Sequence, residues 1–252
     1  MEKEHEKSKL KFGLIGRNID YSFSRSYFSE KFETLHLPYS YVNFDIADIH
    51  LFPNIFKENE KISGLNVTIP YKEQVIPYLD SLDKTAQEIG AVNTIKIHPT
   101  GKTEGFNTDF YGFQKSIEPF IKSSHKKALI LGSGGASKAI AYALKQLNVT
   151  FDYVSRKQSD GVKFQYSDLT GKIINEHQII INCTPVGTFP NVDACPDIPY
   201  DALNTNHLLF DLIYNPTETT FLKKGREQGA LTCNGSKMLV YQAEKAWEIW
   251  GK

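Results

Sequence analysis

A chain of 252 residues with a formal net charge of +0 has no overall field to draw it onto nucleic acid or an anionic membrane, so any anion site must be local. Hydrophobic residues make up 40% and charged residues 23%, which excludes a disordered polymer and allows one large domain or two modest ones. Cys183, Cys195, Cys233 and the seven scattered histidines show no zinc-ligand spacing, so no metal is expected and the thiols suit a reducing compartment.

Taken in chain order, the first predicted element is the apolar run Phe12–Ile15, a strand ended by Gly16. Ser26–Leu37 carries Tyr27, Phe28, Phe32 and Leu35 at helical spacing. Tyr39–Phe44 alternates as a strand, and Ile62–Val67 reads as a buried strand stopped by Pro70. Lys72 is then expected near the start of a helix. Ala91–Ile97 and Thr103–Phe106 predict a strand pair around the turn His98-Pro99-Thr100-Gly101. The polar run Ile121–Lys127 is a surface connection leading into a second set of elements. These are a strand at Lys127–Leu131, a turn at Gly132–Gly135, a helix at Ala136–Leu147 and a strand at Phe151–Val154. Ile179–Ile181 and Leu208–Phe210 continue the alternation, which implies an α/β fold with a parallel sheet. Ser236–Trp250 closes the chain as an amphipathic helix, with Leu239, Ala243, Ala246 and Trp250 on one stripe. No internal repeat interrupts this order. Met1–Lys11 mixes Glu and Lys without an apolar leader, and no apolar run reaches the length of a membrane span, so a cytoplasmic protein without a membrane partner is expected.

The run Ala128-Leu-Ile-Leu-Gly132-Ser133-Gly134-Gly135-Ala136-Ser137 is strand, glycine turn and helix start. Gly132 permits the tight turn, and Gly134 lets a pyrophosphate approach the backbone. The helix N-terminus behind Gly135 and Ala136 offers free N–H groups and the positive end of its dipole. Ser137 stands for a third glycine and is small enough for helix–strand packing. A dinucleotide site follows from that context. NAD sites place an acid at the end of the next strand to bond the ribose 2′-hydroxyl. Here that strand ends Ser155-Arg156-Lys157, while Asp152 lies mid-strand. A hydroxyl and two cations suit a 2′-phosphate, so the expected cofactor is NADP.

Short polar motifs crowd the other half: Ser22-Phe-Ser24, Asn66-Val-Thr68-Ile-Pro70-Tyr-Lys72, Gly90-Ala-Val-Asn93-Thr94 and Asn107-Thr108-Asp109. Each has a bland reading as a turn maker, a cap or a solvated lysine. Their joint occurrence at strand ends is what points to a ligand, because open α/β sheets bind there. Two further motifs, Asn182-Cys-Thr184-Pro185-Val-Gly187 and Gly235-Ser-Lys-Met238-Leu239-Val-Tyr-Gln242, follow in the second half. In this order, from about Phe12 to Trp250, the motifs resemble the shikimate dehydrogenase family.

That resemblance implies an oxidoreductase that reversibly reduces 3-dehydroshikimate to shikimate with NADPH, in chorismate and aromatic amino-acid biosynthesis. It implies an N-terminal α/β substrate domain, residues 1–108, rejoined by 236–252, and a Rossmann-like doubly wound dinucleotide-binding domain, residues 109–235. Ser22 and Ser24 would bind the substrate carboxylate; Asn66, Thr68, Asn93, Asp109 and Gln242 would hold ring hydroxyls. Lys72 and Asp109 would form the catalytic pair, and Tyr214 would line the site from the cofactor side. Gly132, Ser133, Gly134, Gly135, Ala136, Ser155, Arg156, Lys157, Thr184 and Gly235 would hold the cofactor. A monomer or homodimer is expected. Arg25 stands where the family commonly has proline, Thr188 where methionine is frequent, and Ser155-Arg156-Lys157 where Asn-Arg-Thr is common. Alternatives are a quinate/shikimate dehydrogenase using NAD or NADP, a methylenetetrahydrofolate dehydrogenase, and a non-catalytic dinucleotide sensor. The Ser22/Ser24 pair with Gln242 argues against the folate enzyme, and Lys72 with Asp109 against the sensor.

Overall fold

A computed structural model of the chain describes residues 10–20, 22–158 and 161–251; the N-terminal run discussed above lies, up to residue 9, outside the described residues. The chain divides into two compact units: residues up to Thr108 with those from Ala243 onward, and Asp109–Gln242.

In the first unit the elements are β1 (Leu10–Gly16), α1 (Phe23–Thr34), β2 (Tyr39–Asp45), α2 (Phe52–Glu58), β3 (Ile62–Val67), β4 (Ser81–Leu82), α3 (Lys84–Ile89), β5 (Thr94–Ile97) and β6 (Thr103–Phe106). Their sheet runs β2-β1-β3-β5-β6-β4. β1 pairs parallel with β2 and β3, while β5 and β6 form the antiparallel hairpin expected around residues 98–101. Two apolar clusters fill the unit. One joins Ile15, Phe52, Leu65, Val75 and Ile95; the other joins Phe12, Phe28, Phe32, Tyr41, Trp247 and Trp250. Gly64 has a packing reason, since a Cβ there would land on the Trp250 indole, whose Nε1 donates to the Ile95 carbonyl at 3.0 Å.

Three local expectations shift. α1 begins three residues before Ser26 because the Ser22 hydroxyl caps it, accepting from the Arg25 amide at 3.2 Å. It stops before Leu37 because His36 turns left-handed at φ 51° and the Leu37 amide closes back on the Phe32 carbonyl at 2.8 Å. After Lys72 comes a single turn, closed by the Val75 amide on the Tyr71 carbonyl, and then the 3-10 turn Ile76–Tyr78, not a helix. Pro77 has no N–H to carry an α-helix forward. β5 starts at Thr94, not Ala91, since the preceding residues leave the left-handed Gly90 cap of α3 and bond the Lys72 carbonyl and Phe106 instead.

In the second unit the elements are α4 (Asp109–Ile117), β7 (Lys127–Leu131), α5 (Gly135–Gln146), β8 (Thr150–Ser155), β9 (Val162–Gln165), α6 (Gly171–Glu176), β10 (Ile179–Asn182), β11 (Leu208–Asp211), α7 (Thr220–Glu227), β12 (Leu231–Cys233) and α8 (Ser236–Ile249). Their sheet is parallel throughout, in the order β12-β11-β10-β7-β8-β9, as the strand–helix alternation implied. The continuous apolar runs follow from covering both faces. Ala128, Ile130, Ile179, Ile181 and Phe210 enter one core, and Leu129, Leu131, Ile180 and Leu209 enter the other. α8 is divided: Met238 packs with the second unit's core and Ala243, Ala246 and Trp247 with the first unit's, so the dividing point falls after Gln242.

Asp152, on β8, shows why that acid is not available to a ribose. Its Oδ2 lies 3.0 Å from Lys127 Nζ, 2.9 Å from Lys163 Nζ and 3.0 Å from Nε2 of fully buried His177. Burial raises its carboxyl, but hydrogen bonds from His177, Lys163 and Lys127 outweigh that and hold it at about 2. A carboxylate depressed below its usual 3.8 contributes stability that is present above that value and lost as pH falls through about 2. Asp152→Asn should therefore lower Tm at pH 7 by a few degrees, corresponding to about 1 kcal/mol after allowing for solvent screening of the exposed Lys163. The gap to the parent should narrow in thermal melts near pH 3; a gap that widens with acid would refute the assignment.

Among the described residues no helix is long and apolar enough to cross a membrane, and no group of three or more His, Cys, Asp or Glu is placed to hold a metal ion.

Candidate active site

In the first unit the expected substrate residues cluster at the carboxyl ends of the parallel strands. Asn66 is the penultimate residue of β3 and is buried. Its Oδ1 accepts from the Tyr41 phenol at 2.7 Å, and its Nδ2 donates to the Asn93 carbonyl at 3.3 Å and to Thr94 Oγ1 at 3.2 Å. Asn93 Oδ1 accepts from the Thr108 amide at 2.6 Å and from the Thr108 and Thr94 hydroxyls at 3.2 Å each, while its Nδ2 donates to Thr108 Oγ1 at 3.0 Å. Asn107 Nδ2 donates to the Ala91 carbonyl at 2.9 Å. Burial pushes the Tyr41 phenol far up, so it stays neutral and can donate to Asn66, while a hydrogen bond from the Ser24 hydroxyl pulls the other way. Ser24, half-buried like Ser22 at the start of α1, is thus joined to the Asn66 network through Tyr41.

Thr68 follows β3, its amide donating to the Ile15 carbonyl at 2.9 Å. A Cβ on Gly16 would come within 2.6 Å of the Thr68 methyl, so that glycine is what lets the two strand ends approach. Lys72 is half-buried, and its carbonyl accepts from the Val92 amide at 2.7 Å, which ties the turn carrying it to the chain entering Asn93. Tyr41, Thr94 and Thr108 had no assigned role in the sequence reading. Only the alternation of Tyr39–Phe44, which puts Tyr41 on the inward face, hinted at one of them.

Asp109, buried, opens α4 in the second unit, and buried Gln242 lies on α8 with its Nε2 donating to the Leu239 carbonyl at 3.0 Å. Gly112 keeps these two helices close, since a Cβ there would meet the Met238 carbonyl at 2.6 Å.

At the end of β7 the backbone behaves as a dinucleotide turn must. Gly132 is left-handed at φ 102°, its amide donates to the Val154 carbonyl at 2.8 Å, and an added Cβ would come within 3.0 Å of the Thr184 methyl. Gly134 is the N-cap of α5 with no side-chain cap, and a Cβ added there would meet nothing within 4 Å. The start of a twelve-residue helix thus has open space beside Gly134, with Gly135 and Ala136 in its first turn, and these residues fit a pyrophosphate. Ser137 is buried, its hydroxyl donating to the Gly134 carbonyl at 2.6 Å. Ser133, exposed, lies 3.5 Å from the Ser155 hydroxyl across the ends of β7 and β8, and Arg156 and Lys157 follow, exposed.

Across the sheet, Thr184 is fastened to buried Asn182: its amide and hydroxyl donate to Asn182 Oδ1 at 3.0 and 2.6 Å. Tyr214 is exposed in the turn after β11, and Gly235 sits where a Cβ would strike the Leu212 carbonyl. Cys183 lies just past β10, half-buried. Burial first, and the Asp211 charge second, push its thiol far up, so it is no nucleophile.

A parallel sheet with an open glycine turn, together with a second α/β unit carrying its own polar cluster, defines a two-unit, dinucleotide-binding dehydrogenase. The family described as shikimate dehydrogenase substrate binding domain matches residues 14–95. Shikimate dehydrogenase (NADP(+)) of Methanosphaera stadtmanae is 38% identical over 94% of this chain and 90% of its own. The crystal structure of shikimate dehydrogenase from Aquifex aeolicus superposes with a TM-score of 0.86 at 33% identity, covering 97% of this chain and 93% of that one. The enzyme of Thermus thermophilus, solved in complex with NADP(H) and shikimate, superposes with a TM-score of 0.84 at 28% identity over 96% of this chain and 93% of its own. The chain belongs to the shikimate dehydrogenase family.

Proposed function

We propose that this protein reduces 3-dehydroshikimate to shikimate with NADPH and a proton, reversibly, releasing NADP⁺. One observation carries the reading: the buried chain Tyr41–Asn66–Thr94–Asn93–Thr108 links Ser24 to Asp109's neighbour at the strand ends of the first unit. Such a fixed set of amides and hydroxyls suits a small polyhydroxylated acid. Ser22 and Ser24 take the carboxylate; Asn66, Thr68, Asn93, Asp109 and Gln242 take ring hydroxyls.

NADPH, when bound, supplies the hydride. The carbonyl oxygen then gains alkoxide character, and Lys72 stabilises it and delivers the proton. Asp109 accepts the bond of the substrate hydroxyl and favours the charged lysine. In the second unit Gly132, Ser133, Gly134, Gly135 and Ala136 cradle the pyrophosphate, Ser155, Arg156 and Lys157 take the 2′-phosphate, Thr184 and Gly235 support the nicotinamide half, and Tyr214 contacts the substrate from the cofactor side. The protein works in the cytoplasm as a monomer or homodimer, with no nucleic-acid or membrane partner.

NADPH formation followed by absorbance, with shikimate and NADP⁺ as substrates, tests the reading. No turnover at high enzyme concentration would favour a dinucleotide sensor, and equal rates with quinate or NAD⁺ would favour the broader quinate/shikimate enzyme. Arg156→Ala should raise the KM for NADPH about tenfold, as for one lost charge-assisted contact, while leaving NADH nearly unchanged. Equal weakening of both would remove the 2′-phosphate assignment.

A further inference from the structure

The order of the parallel sheet divides the dinucleotide site. The glycine turn follows β7 and the Ser155-Arg156-Lys157 corner follows β8, so the nicotinamide half must extend the other way, over the ends of β10 and β11. Two loops cover those ends, residues 183–190 and 212–219, and both converge on one side chain. Asp211, the last residue of β11, is fully buried. Its Oδ1 accepts from the Ile213 amide at 3.0 Å and from Asn182 Nδ2 at 3.1 Å; its Oδ2 accepts from the Thr219 hydroxyl at 2.6 Å.

Through Asn182 the same carboxylate reaches the other loop. Asn182 Nδ2 also donates to the Val186 carbonyl at 3.3 Å, and its Oδ1 holds the Thr184 amide and hydroxyl. Thr184 in turn accepts from the Val186 amide at 3.2 Å and packs on Gly132 of the pyrophosphate turn. Thr219 caps α7, and a Cβ added at Gly187, left-handed at φ 99°, would meet the Ala194 carbonyl at 2.9 Å and Thr219 Cβ at 3.7 Å. No cation pairs with Asp211 among the described residues. Removing a carboxylate from water without a counter-ion is costly, and its three donors offset that cost only while both loops keep their shape.

We infer that Asp211 is a positioning residue for the reaction: it sets the two loops that receive the nicotinamide half of the cofactor and touches neither cofactor nor substrate itself. Burial, opposed by the bonds from Thr219, Ile213 and Asn182, leaves its carboxyl at about 6, consistent with a group stabilised by donors alone. The inference rests on the proposed dehydrogenase activity.

The experiment compares Asp211→Ala and Asp211→Asn with the parent enzyme, below the Tm of each. Alanine leaves the Ile213 amide, the Asn182 amide and the Thr219 hydroxyl without their acceptor, so the KM for NADPH should rise about tenfold and kcat fall about tenfold, with the KM for shikimate within about twofold. Asparagine keeps an oxygen for Ile213 and Asn182, and the Thr219 hydroxyl can turn to accept from its amide, so most of the loss should be restored. Parent-like values in Asp211→Ala, or equal losses toward NADPH and shikimate, would overturn the inference. Should the alanine variant not fold, Thr219→Val carries the test: a rise of about threefold in the KM for NADPH supports it, and the parent value overturns it. If the parent itself forms no NADPH from shikimate, the proposed function fails and the inference is judged by the Kd for NADPH from nucleotide fluorescence in the same variants.

Discussion

Replacing Lys72 with alanine is expected to lower kcat by roughly 10²–10⁴-fold, the range for loss of a positioned proton donor. The structure makes this a clean subtraction. The Lys72 backbone is held by its carbonyl bond to the Val92 amide at 2.7 Å, and the turn behind it by the Val75–Tyr71 bond at 2.9 Å, so trimming the side chain leaves the frame in place. The side chain is only half-buried and leaves no large apolar void. Steady-state kinetics should then show kcat falling while the KM for shikimate and the Kd for NADPH stay within a few-fold. An interaction made only in the transition state reads out in this way. Turnover within a few-fold of the parent would remove Lys72 from the chemistry.

A second large effect is expected at Asn93, in stability as well as activity. Its amide oxygen takes the Thr108 amide and two buried hydroxyls, and its nitrogen donates to Thr108 in return. Asn93→Ala leaves the Thr108 N–H and the Thr94 hydroxyl without that partner at sites fully closed to water. Each unsatisfied buried group costs about 1–3 kcal/mol, so a loss of about 3 kcal/mol is expected, seen as a Tm lower by roughly 6–12 °C. Thr108 immediately precedes Asp109, so the KM for shikimate should rise at least about tenfold, measured well below the new Tm. A Tm within about 2 °C of the parent with an unchanged KM would show that this network does not organise the site.

Much of this was legible residue by residue. The runs at 128–131 and 179–181 announce strands covered on both faces because every position is apolar, and both cores use them. The glycine turn was legible because its chemistry is local: a left-handed Gly132 and an open Gly134 are demands of the backbone itself. The same locality misled where a side chain intervened. The apolar spacing of 26–37 gives a helix in the wrong frame, since Ser22, outside the periodic stretch, supplies the cap. Lys72 was expected by a helix from the polar stretch after Pro70, but Pro77, seven residues on, leaves only a 3-10 turn.

By itself, then, the sequence determined the two α/β halves, the glycine turn, the basic corner at Ser155-Arg156-Lys157 and the family, because these depend on neighbours a few positions apart. Tertiary structure decided what the isolated polar residues do. Asp152 is spent on Lys127, Lys163 and His177, the last of them 25 positions away; Asn66 finds Tyr41 across 25; Asp211 finds Asn182 across 29. A buried polar group must find a partner wherever the fold brings one, and no local pattern in the chain records which partner that is.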